Sequence, residues 1–324
     1  MTAASTTVSS DPDALRRDWP AGSRLSEWVA PDGWRHRRFD WTHPAPRGRI
    51  LVQGGRADII EKFVETMGWL HDHGWSVTAF DWRGQGGSGR LSPDPHVGHV
   101  DDFQQYIDDF RAFWADWVAE DAGRDGGPHV ALGHSMGGHL LLRALVEGAA
   151  RPDAAVLIAP MLGLHSPLGA TLGERLARVL GGVGNAARPA WRGNERPATT
   201  ETRQALLTKD TDRYEDEIFW QSSKPELLLG PPSWRWVIEA FASTRRLSVD
   251  PRLKTLDVPL LFVVADDDKL VDPKAALKIA AKVPDARVVR FGKESAHEIL
   301  READPVRNRA IGEIDIFLSS RAQR

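Results

Sequence analysis

One short stretch limits the possible folds more than any other part of the chain, Gly133-His-Ser-Met-Gly-Gly138. It follows the apolar run 129–132, which is typical of a buried strand, and precedes 139–147, where leucines recur at helical spacing. A serine between a strand and a helix, with a glycine two positions away on each side, is the pattern of a nucleophile elbow. The helix that begins beside Ser135 would point backbone N–H groups at charge developing there. We therefore predict that Ser135 is a nucleophile.

Strands and helices alternate before and after this stretch. The elements predicted up to residue 160 are a hairpin with strands 25–29 and 34–41 around Asp32-Gly33, strand 49–53, helix 57–73, strand 75–80, helix 100–120, strand 129–132, helix 139–147 and strand 154–158. The pattern resumes with strand 258–264, helix 273–283, strand 286–290 and helix 305–321. Such alternation predicts an α/β fold with a mainly parallel, doubly wound sheet.

The alternation is interrupted by a long segment without clear strands. Helix-like pieces, prolines and four tryptophans occupy residues 161–248. We predict that this segment is a helical cap over the C-terminal ends of the strands, where open α/β sheets bind ligands, and that part of its apolar surface lines a pocket. We predict that the rest of the chain consists of a flexible N-terminal tail, 1–24, and a core formed by 25–160 together with 249–324.

Composition excludes several classes of site. The 324 residues include no cysteine, which removes disulfides, thiolate nucleophiles and zinc–thiolate sites. A net charge of −3 provides no overall field for binding nucleic acid. The N-terminus has no pattern of a secretory signal, and no stretch reaches the roughly 18 apolar residues of a membrane span. We expect a cytoplasmic protein, peripheral to the membrane at most.

The loop after strand 75–80 matches a dinucleotide-binding pattern by its glycines alone. Gly84, Gly86 and Gly89 satisfy G-x-G-x-x-G, but a dinucleotide site needs a helix that opens directly from the loop. Pro93 and Pro95 follow too soon for such a helix. We therefore expect no cofactor, and because the histidines lack carboxylates at useful spacing, we also expect no metal.

A nucleophilic serine needs a base, and the base needs an acid to orient it. In this topology the acid and then the histidine follow the serine along the chain. His297 comes after strand 286–290 and is the only histidine beyond His165. The residues alone leave the acid open, because four aspartates follow strand 258–264: Asp266, Asp267, Asp268 and Asp272.

Two motifs carry a family resemblance. The elbow, together with Asp81-Trp-Arg-Gly-Gln-Gly-Gly-Ser-Gly89, resembles the monoacylglycerol lipase and lysophospholipase branch of the α/β-hydrolases. In the cap, Gly230-Pro-Pro-Ser-Trp-Arg-Trp-Val237 is similar to the bacterial lysophospholipases of that branch. The resemblance extends from about Trp28 to the last helix and is weaker through 165–225. It implies an α/β-hydrolase fold with an inserted cap.

The resemblance also implies roles for individual residues. The family's Asp-(Lys/Arg)-Leu-x-Asp pattern selects Asp268 as the acid, and its histidine matches His297. The resemblance implies an oxyanion hole built from the backbone N–H groups of Met136 and Arg56. Many relatives have His-Gly where this chain has Gln-Gly-Gly-Arg, which leaves the second donor open between Gly55 and Arg56. An arginine there would lie near the pocket mouth, where it could meet an anionic head group.

These residues imply a serine carboxylic-ester hydrolase that forms an acyl-enzyme on Ser135. The tryptophan-rich cap suggests a monoacyl lipid as the substrate, of the lysophospholipid or monoacylglycerol type, with small esters also turned over. Expected partners are therefore a small-molecule ester or lipid and, transiently, a membrane surface in contact with the cap. Nucleic acid is not expected, and the oligomeric state stays open.

Several alternatives use the same fold. A small-ester carboxylesterase needs no long acyl pocket, and a cofactor-free haloperoxidase would need a carboxylic acid co-substrate. A proline-type aminopeptidase or amidase would need an anchor for the substrate's amino group, for which Glu215, Asp216 and Glu217 in the cap are candidates. A non-catalytic ligand sensor stays as an alternative of a different class. A dehalogenase or epoxide hydrolase is disfavoured because those enzymes have aspartate at the position of Ser135.

Overall fold

The computed structural model describes residues 16–121, 127–165, 170–182, 184–191 and 203–322. The strands are β1 Arg24–Val29, β2 Arg35–Trp41, β3 Gly48–Gln53, β4 Trp75–Phe80, β5 His129–His134, β6 Ala154–Ile158, β7 Leu260–Ala265 and β8 Ala286–Phe291. They form one sheet in the order β1-β2-β4-β3-β5-β6-β7-β8. The two ladders that involve β2 are antiparallel, and all the others are parallel. The predicted mainly parallel sheet is confirmed.

The helices connect these strands and also form the insertion between β6 and β7. They are α1 Val64–Asp72, α2 Gln104–Ala119, α3 Met136–Val146, α4 Ala170–Gly181, α5 Arg203–Leu207, α6 Thr211–Ser223, α7 Trp234–Ser248, α8 Pro273–Ala280 and α9 Asp304–Arg321. Short 3₁₀ turns occupy Ile60–Phe63, Pro225–Leu227, Pro251–Thr255 and Ile299–Arg301. Loop 81–103 contains no helix, so the glycine pattern within it does not open into one.

Two predicted helices begin later than the apolar pattern indicates. The helix predicted from residue 57 starts as a 3₁₀ turn at Ile60, because Ala57 has a φ of +62° and Ile59 is extended. The helix predicted from residue 100 starts at Gln104, whose backbone N–H donates a hydrogen bond to Asp102 Oδ1 at 2.7 Å. Hydrophobic spacing locates a helix well, but local backbone geometry and hydrogen bonding decide its first residue.

Both faces of the sheet are covered, as a parallel sheet requires. Alternate residues of β7 show this, because Leu260 and Phe262 belong to one buried cluster and Leu261 and Val263 to another. The first cluster also contains side chains of α2, α3, α7 and α8, and the second contains those of α1 and α9. The aromatic residues of α2 are buried in the first cluster. The sheet therefore presents its strand ends, not its faces, to ligands.

The predicted N-terminal tail, 1–24, does not hold for its described part. Trp19 stacks on Phe39 of β2 with ring centroids 5.3 Å apart, and it lies 6.0 Å from Trp220 of α6. An aromatic ring held between the sheet and a cap helix fixes this segment, and the polar composition of the N-terminus gave no sign of it. Residues 1–15 lie outside the described residues.

Within the described ranges, no helix is both long enough and apolar enough to cross a membrane.

Candidate active site

Ser135 stands at the turn between β5 and α3 in a strained conformation, with φ +52° and ψ −116°. The turn needs glycine on both sides of it. A Cβ on Gly133 would lie 2.7 Å from the carbonyl oxygen of Gly137, and a Cβ on Gly137 would lie 2.4 Å from that of Gly54. These contacts are too short for any side chain, so the motif folds as the elbow that its sequence predicts.

The structure brings the predicted acid and base to this serine. His297 Nε2 lies 2.8 Å from Ser135 Oγ, and His297 Nδ1 lies 2.6 Å from Asp268 Oδ2. The other oxygen of Asp268 accepts hydrogen bonds from the backbone N–H groups of Leu270 and Val271 at 2.8 and 3.1 Å. Both His297 and Asp268 are 4% exposed. The three side chains form one continuous hydrogen-bonded chain at the C-terminal edge of the sheet.

The neighbouring aspartates have other partners. Asp266 pairs with an arginine of β8 at 2.9 Å, and Asp267 pairs with Lys269 at 2.7 Å. Asp272 caps the N-terminus of α8. Geometry therefore selects Asp268 from the four candidates that the residues alone left open.

The loop after β3 passes directly against Ser135, the predicted nucleophile. A Cβ on Gly55 would lie 2.9 Å from Ser135 Cβ, so the backbone of this loop is in contact with the serine. Met136 is the first residue of α3, and its N–H belongs to the unpaired first turn of that helix. The two segments predicted to supply the oxyanion donors thus flank Ser135 on two sides.

Hydrogen bonds in this loop bear on which residue is the second donor. The N–H of Gly55 donates a hydrogen bond to Asp58 Oδ2 at 2.6 Å, and the N–H of Ala57 donates one to Gln85 Oε1 at 2.6 Å. The amides on either side of Arg56 are therefore engaged inside the protein. This arrangement favours the N–H of Arg56 over that of Gly55 for an incoming oxyanion.

The Arg56 side chain connects the loop to the cap. Its Nη1 donates to the carbonyl oxygen of Gly230 at 2.9 Å, and its guanidinium lies 5.7 Å from the ring centroid of Trp236. The side chain still lines the pocket, at the place where the sequence predicted a cation.

A pocket of about 650 Å³, including its opening, ends at Ser135 and His297. Its lining combines two kinds of side chain. The apolar lining residues are Met161, Leu164, Trp191, Leu207, Pro232, Trp236, Leu270 and Val271. The charged lining residues include Arg56, Asp58, Lys62, Arg203 and Glu298. Such a pocket suits an amphiphilic molecule whose scissile bond lies between an apolar chain and a polar group.

The fold and this geometry agree with the comparisons with known proteins. The family model described as serine aminopeptidase, S33, matches residues 44–304. The chain belongs to this family. Lysophospholipase L2 of Escherichia coli (strain K12) is 29% identical over 285 residues, covering 83% of this chain and 80% of the relative. Probable lysophospholipase L2 of Haemophilus influenzae is 30% identical over 290 residues, covering 88% of each chain.

A solved structure gives the same result at the level of the fold. A soluble variant of monoglyceride lipase from Saccharomyces cerevisiae, in complex with a substrate analogue, superimposes with a TM-score of 0.75 at 21% identity. The match covers 94% of this chain and 97% of the other. The chain is thus an α/β-hydrolase of the lysophospholipase and monoglyceride lipase branch. The predicted family and enzyme class, a carboxylic ester hydrolase, are confirmed.

Sequence reasoning missed a buried charge cluster, part of which lines the pocket of this α/β-hydrolase. Lys62 Nζ contacts Asp58 at 2.7 Å, Glu217 of the cap at 3.3 Å, and Glu298, the residue after His297. Arg301 pairs with both Glu298 and Glu217. The spacing of four residues between Asp58 and Lys62 is a weak signal, and the other partners come from distant parts of the chain.

The cluster is ionised despite its burial. Burial would lower the pKa of Lys62, but the carboxylates of Asp58, Glu217 and Glu298 raise it above its usual range. Burial would raise the pKa of Glu217, yet Lys62, Arg203 and Arg301 lower it to about 2. Each charge is therefore compensated by opposite charges within the cluster.

The three candidates for an amino-group anchor do not line the pocket at Ser135. Glu217 is fully engaged by the cations of the cluster. Asp216 pairs with Arg17 at 2.7 Å, on the side of α6 that meets the N-terminal segment. Glu215 is exposed and does not line the pocket. The contacts of these three carboxylates do not support the aminopeptidase alternative.

Proposed function

We propose that the protein hydrolyses monoacyl lipids, of the lysophospholipid or monoacylglycerol type, through an acyl-enzyme on Ser135. The observation that carries the proposal is the hydrogen-bonded chain from Ser135 through His297 to Asp268, in a pocket lined by both apolar and charged side chains. The names of the relatives, lysophospholipase and monoglyceride lipase, support this class of substrate.

The proposed mechanism follows from the contacts. Ser135 Oγ attacks the ester carbonyl while His297 Nε2 takes its proton, and Asp268 stabilises the imidazolium that results. The N–H groups of Arg56 and Met136 hold the oxyanion. His297 then protonates the departing alcohol, which leaves the acyl group on Ser135. A water molecule, deprotonated by His297, attacks the acyl-enzyme, and the fatty acid is released as the serine regains its proton.

We also propose that helix α4 of the cap contacts the lipid surface from which the substrate comes. Leu176, Val179 and Leu180 form one face of this helix and are 44%, 67% and 41% exposed. Arg175, also exposed, adds a positive charge next to them. Exposed apolar residues at this spacing, next to a cation, are typical of helices that lie in a membrane interface.

One experiment tests the substrate class. We would measure fatty acid release from a palmitoyl lysophospholipid and from monopalmitoylglycerol, and in parallel the cleavage of alanine and proline p-nitroanilides. We expect turnover of at least one lipid ester and no comparable cleavage of the amides. Preference for the amides would favour the aminopeptidase alternative, and activity confined to acetyl and butyryl esters would favour a small-ester carboxylesterase.

The same assay with substrate embedded in anionic vesicles tests the contact through α4. Val179→Glu should slow hydrolysis on vesicles and leave the hydrolysis of dissolved p-nitrophenyl butyrate unchanged. Val249→Glu is the matched control, because Val249 is 73% exposed at the far end of α7. Equal rates for both variants on vesicles would show that α4 does not contribute to lipid contact.

A further inference from the structure

One buried side chain, Asp58, binds both segments that the reaction has to hold together. Its Oδ2 accepts the N–H of Gly55 at 2.6 Å and lies 3.1 Å from His134 Nδ1. Its Oδ1 accepts a hydrogen bond from Lys62 Nζ at 2.7 Å. Gly55 directly precedes Arg56, the proposed oxyanion donor, and His134 directly precedes Ser135. We call the loop after β3, which contains Gly55 and Arg56, the oxyanion loop. A single carboxylate oxygen of Asp58 therefore connects the oxyanion loop to the strand end that precedes Ser135.

The charge of this carboxylate fixes the direction of each hydrogen bond. Burial would raise the pKa of Asp58, but Lys62 and His134 hold it well below its usual range. An ionised carboxylate can only accept hydrogen bonds, so His134 must carry its proton on Nδ1. Lys62 is itself held by Glu217 and Glu298. Asp58 thus has a fixed position that does not depend on a bound substrate.

The oxyanion loop needs such a restraint because of its glycine. Close approach to Ser135 excludes any side chain at position 55, and glycine restricts its own backbone torsions least of all residues. The direction of the next N–H, that of Arg56, depends on those torsions. With Gly55 N–H bonded to Asp58 and Ala57 N–H bonded to Gln85, the Arg56 amide between them is held from both sides.

We propose that Asp58 is a positioning residue, which sets the distance between the oxyanion donors and Ser135 by binding Gly55 and His134 through one oxygen. The proposal rests on the ester hydrolase function proposed above. Asp58 is not required to touch the reacting atoms, and its effect is exerted through Gly55. Removing it should therefore weaken the stabilisation of the tetrahedral intermediate by much more than it weakens the binding of the substrate's ground state.

The test compares wild type with Asp58→Ala and Asp58→Asn. The asparagine variant keeps the size of the side chain, but its single carbonyl oxygen cannot serve all three donors. We would measure kcat and KM on a p-nitrophenyl ester, the inhibition constant of an alkyl trifluoromethyl ketone, which forms a tetrahedral adduct, and that of a non-hydrolysable ether analogue. We expect kcat and ketone affinity to fall together by about 10²-fold, the scale of one misplaced oxyanion donor. Because Asp58 also lines the pocket, KM and ether affinity should change as well, but by a much smaller factor.

Asp109→Asn is the matched control. Asp109 is also a buried aspartate, bound to Arg83 and lying 3.3 Å from His36, but it does not line the pocket. The Asp109→Asn substitution should lower the melting temperature of the protein and leave its kcat and KM at wild-type values. If Asp58→Asn also lowers only the melting temperature, with kcat and ketone affinity unchanged, Asp58 is structural and the proposal is wrong. Ketone affinity needs no turnover, so it tests Asp58 even if the wild type hydrolyses none of the esters.

Discussion

At the scale of single residues, the geometry of the candidate site depends on its glycines as much as on the proposed triad. Gly133, Gly137 and Gly55 each stand where a Cβ would lie under 3.0 Å from a neighbouring atom. Those neighbours are backbone atoms of the elbow and its surroundings or, for Gly55, the Cβ of Ser135. The strained serine and the oxyanion loop can approach each other only because these positions lack side chains.

Gly55→Ala tests this close approach. The new methyl group would lie 2.9 Å from Ser135 Cβ and 3.1 Å from Asp58 Oδ2, so the loop must move away from the serine. We expect kcat on a p-nitrophenyl ester to fall by about 10²-fold, because a displacement of this size misplaces an oxyanion donor. Gly312→Ala is the control, since Gly312 lies within α9 with open space around it and should gain about 1 kcal/mol of stability without loss of activity. Wild-type kcat in Gly55→Ala would show that the loop is not part of the site.

The sequence indicates some residues of the candidate site but not others. Ser135 lies in a motif with its strand and helix on either side, and His297 is nearly forced by elimination, so both could be proposed as site residues from the chain alone. Asp268 needed the family resemblance, because four aspartates follow the same strand. Asp58 and Lys62 were missed, since their significance depends on partners such as Glu298, which folding brings close from 236 residues away.

At the scale of elements, ion pairs connect the cap to the core. Glu217 on α6 reaches Lys62 at 3.3 Å and Arg301 at 3.1 Å, both of them core residues. Arg213, also on α6, binds Glu65 of α1 and Asp304 of α9. These pairs fix the position of α6 over the edge of the sheet, and with it one side of the pocket.

Glu217→Gln should change how stability depends on pH. The pKa of Glu217 is lowered to about 2 in the folded protein, against 4.5 for an ordinary glutamate, so its ionised form favours folding. This contribution is complete above about pH 4.5 and is lost as the pH falls through about 2. The variant should therefore be less stable at pH 7, and its free energy of unfolding should fall less between pH 5 and 2.

Denaturant titrations across this pH range would measure the effect. Glu27→Gln is the control, because Glu27 pairs with Arg35 on the exposed edge of β1 and should barely affect the profile. A Glu217→Gln profile parallel to that of the wild type would contradict the view that this carboxylate binds the cap in its ionised form.

At the scale of the whole molecule, the sheet was predictable and the arrangement of the cap was not. Alternating strands and helices specify a parallel sheet because each helix has to cross back over it, and the sheet has the predicted elements. The position of the cap depends on side-chain ion pairs and on contacts such as Arg56 with Gly230, which have no periodic signal in the sequence. Trp19, predicted to lie in a tail, is held against the core by the same kind of long-range contact.

The central claim is that Ser135 is the nucleophile of a lipid ester hydrolase. The most direct test is hydrolysis of p-nitrophenyl esters, from acetyl to palmitoyl, by wild type and Ser135→Ala side by side. The account predicts that the wild type prefers medium to long chains, and that the variant keeps at most the roughly 10³–10⁴-fold acceleration over water that binding and the oxyanion hole provide. Equal activity of the two proteins along the series, or no activity in either, would contradict it.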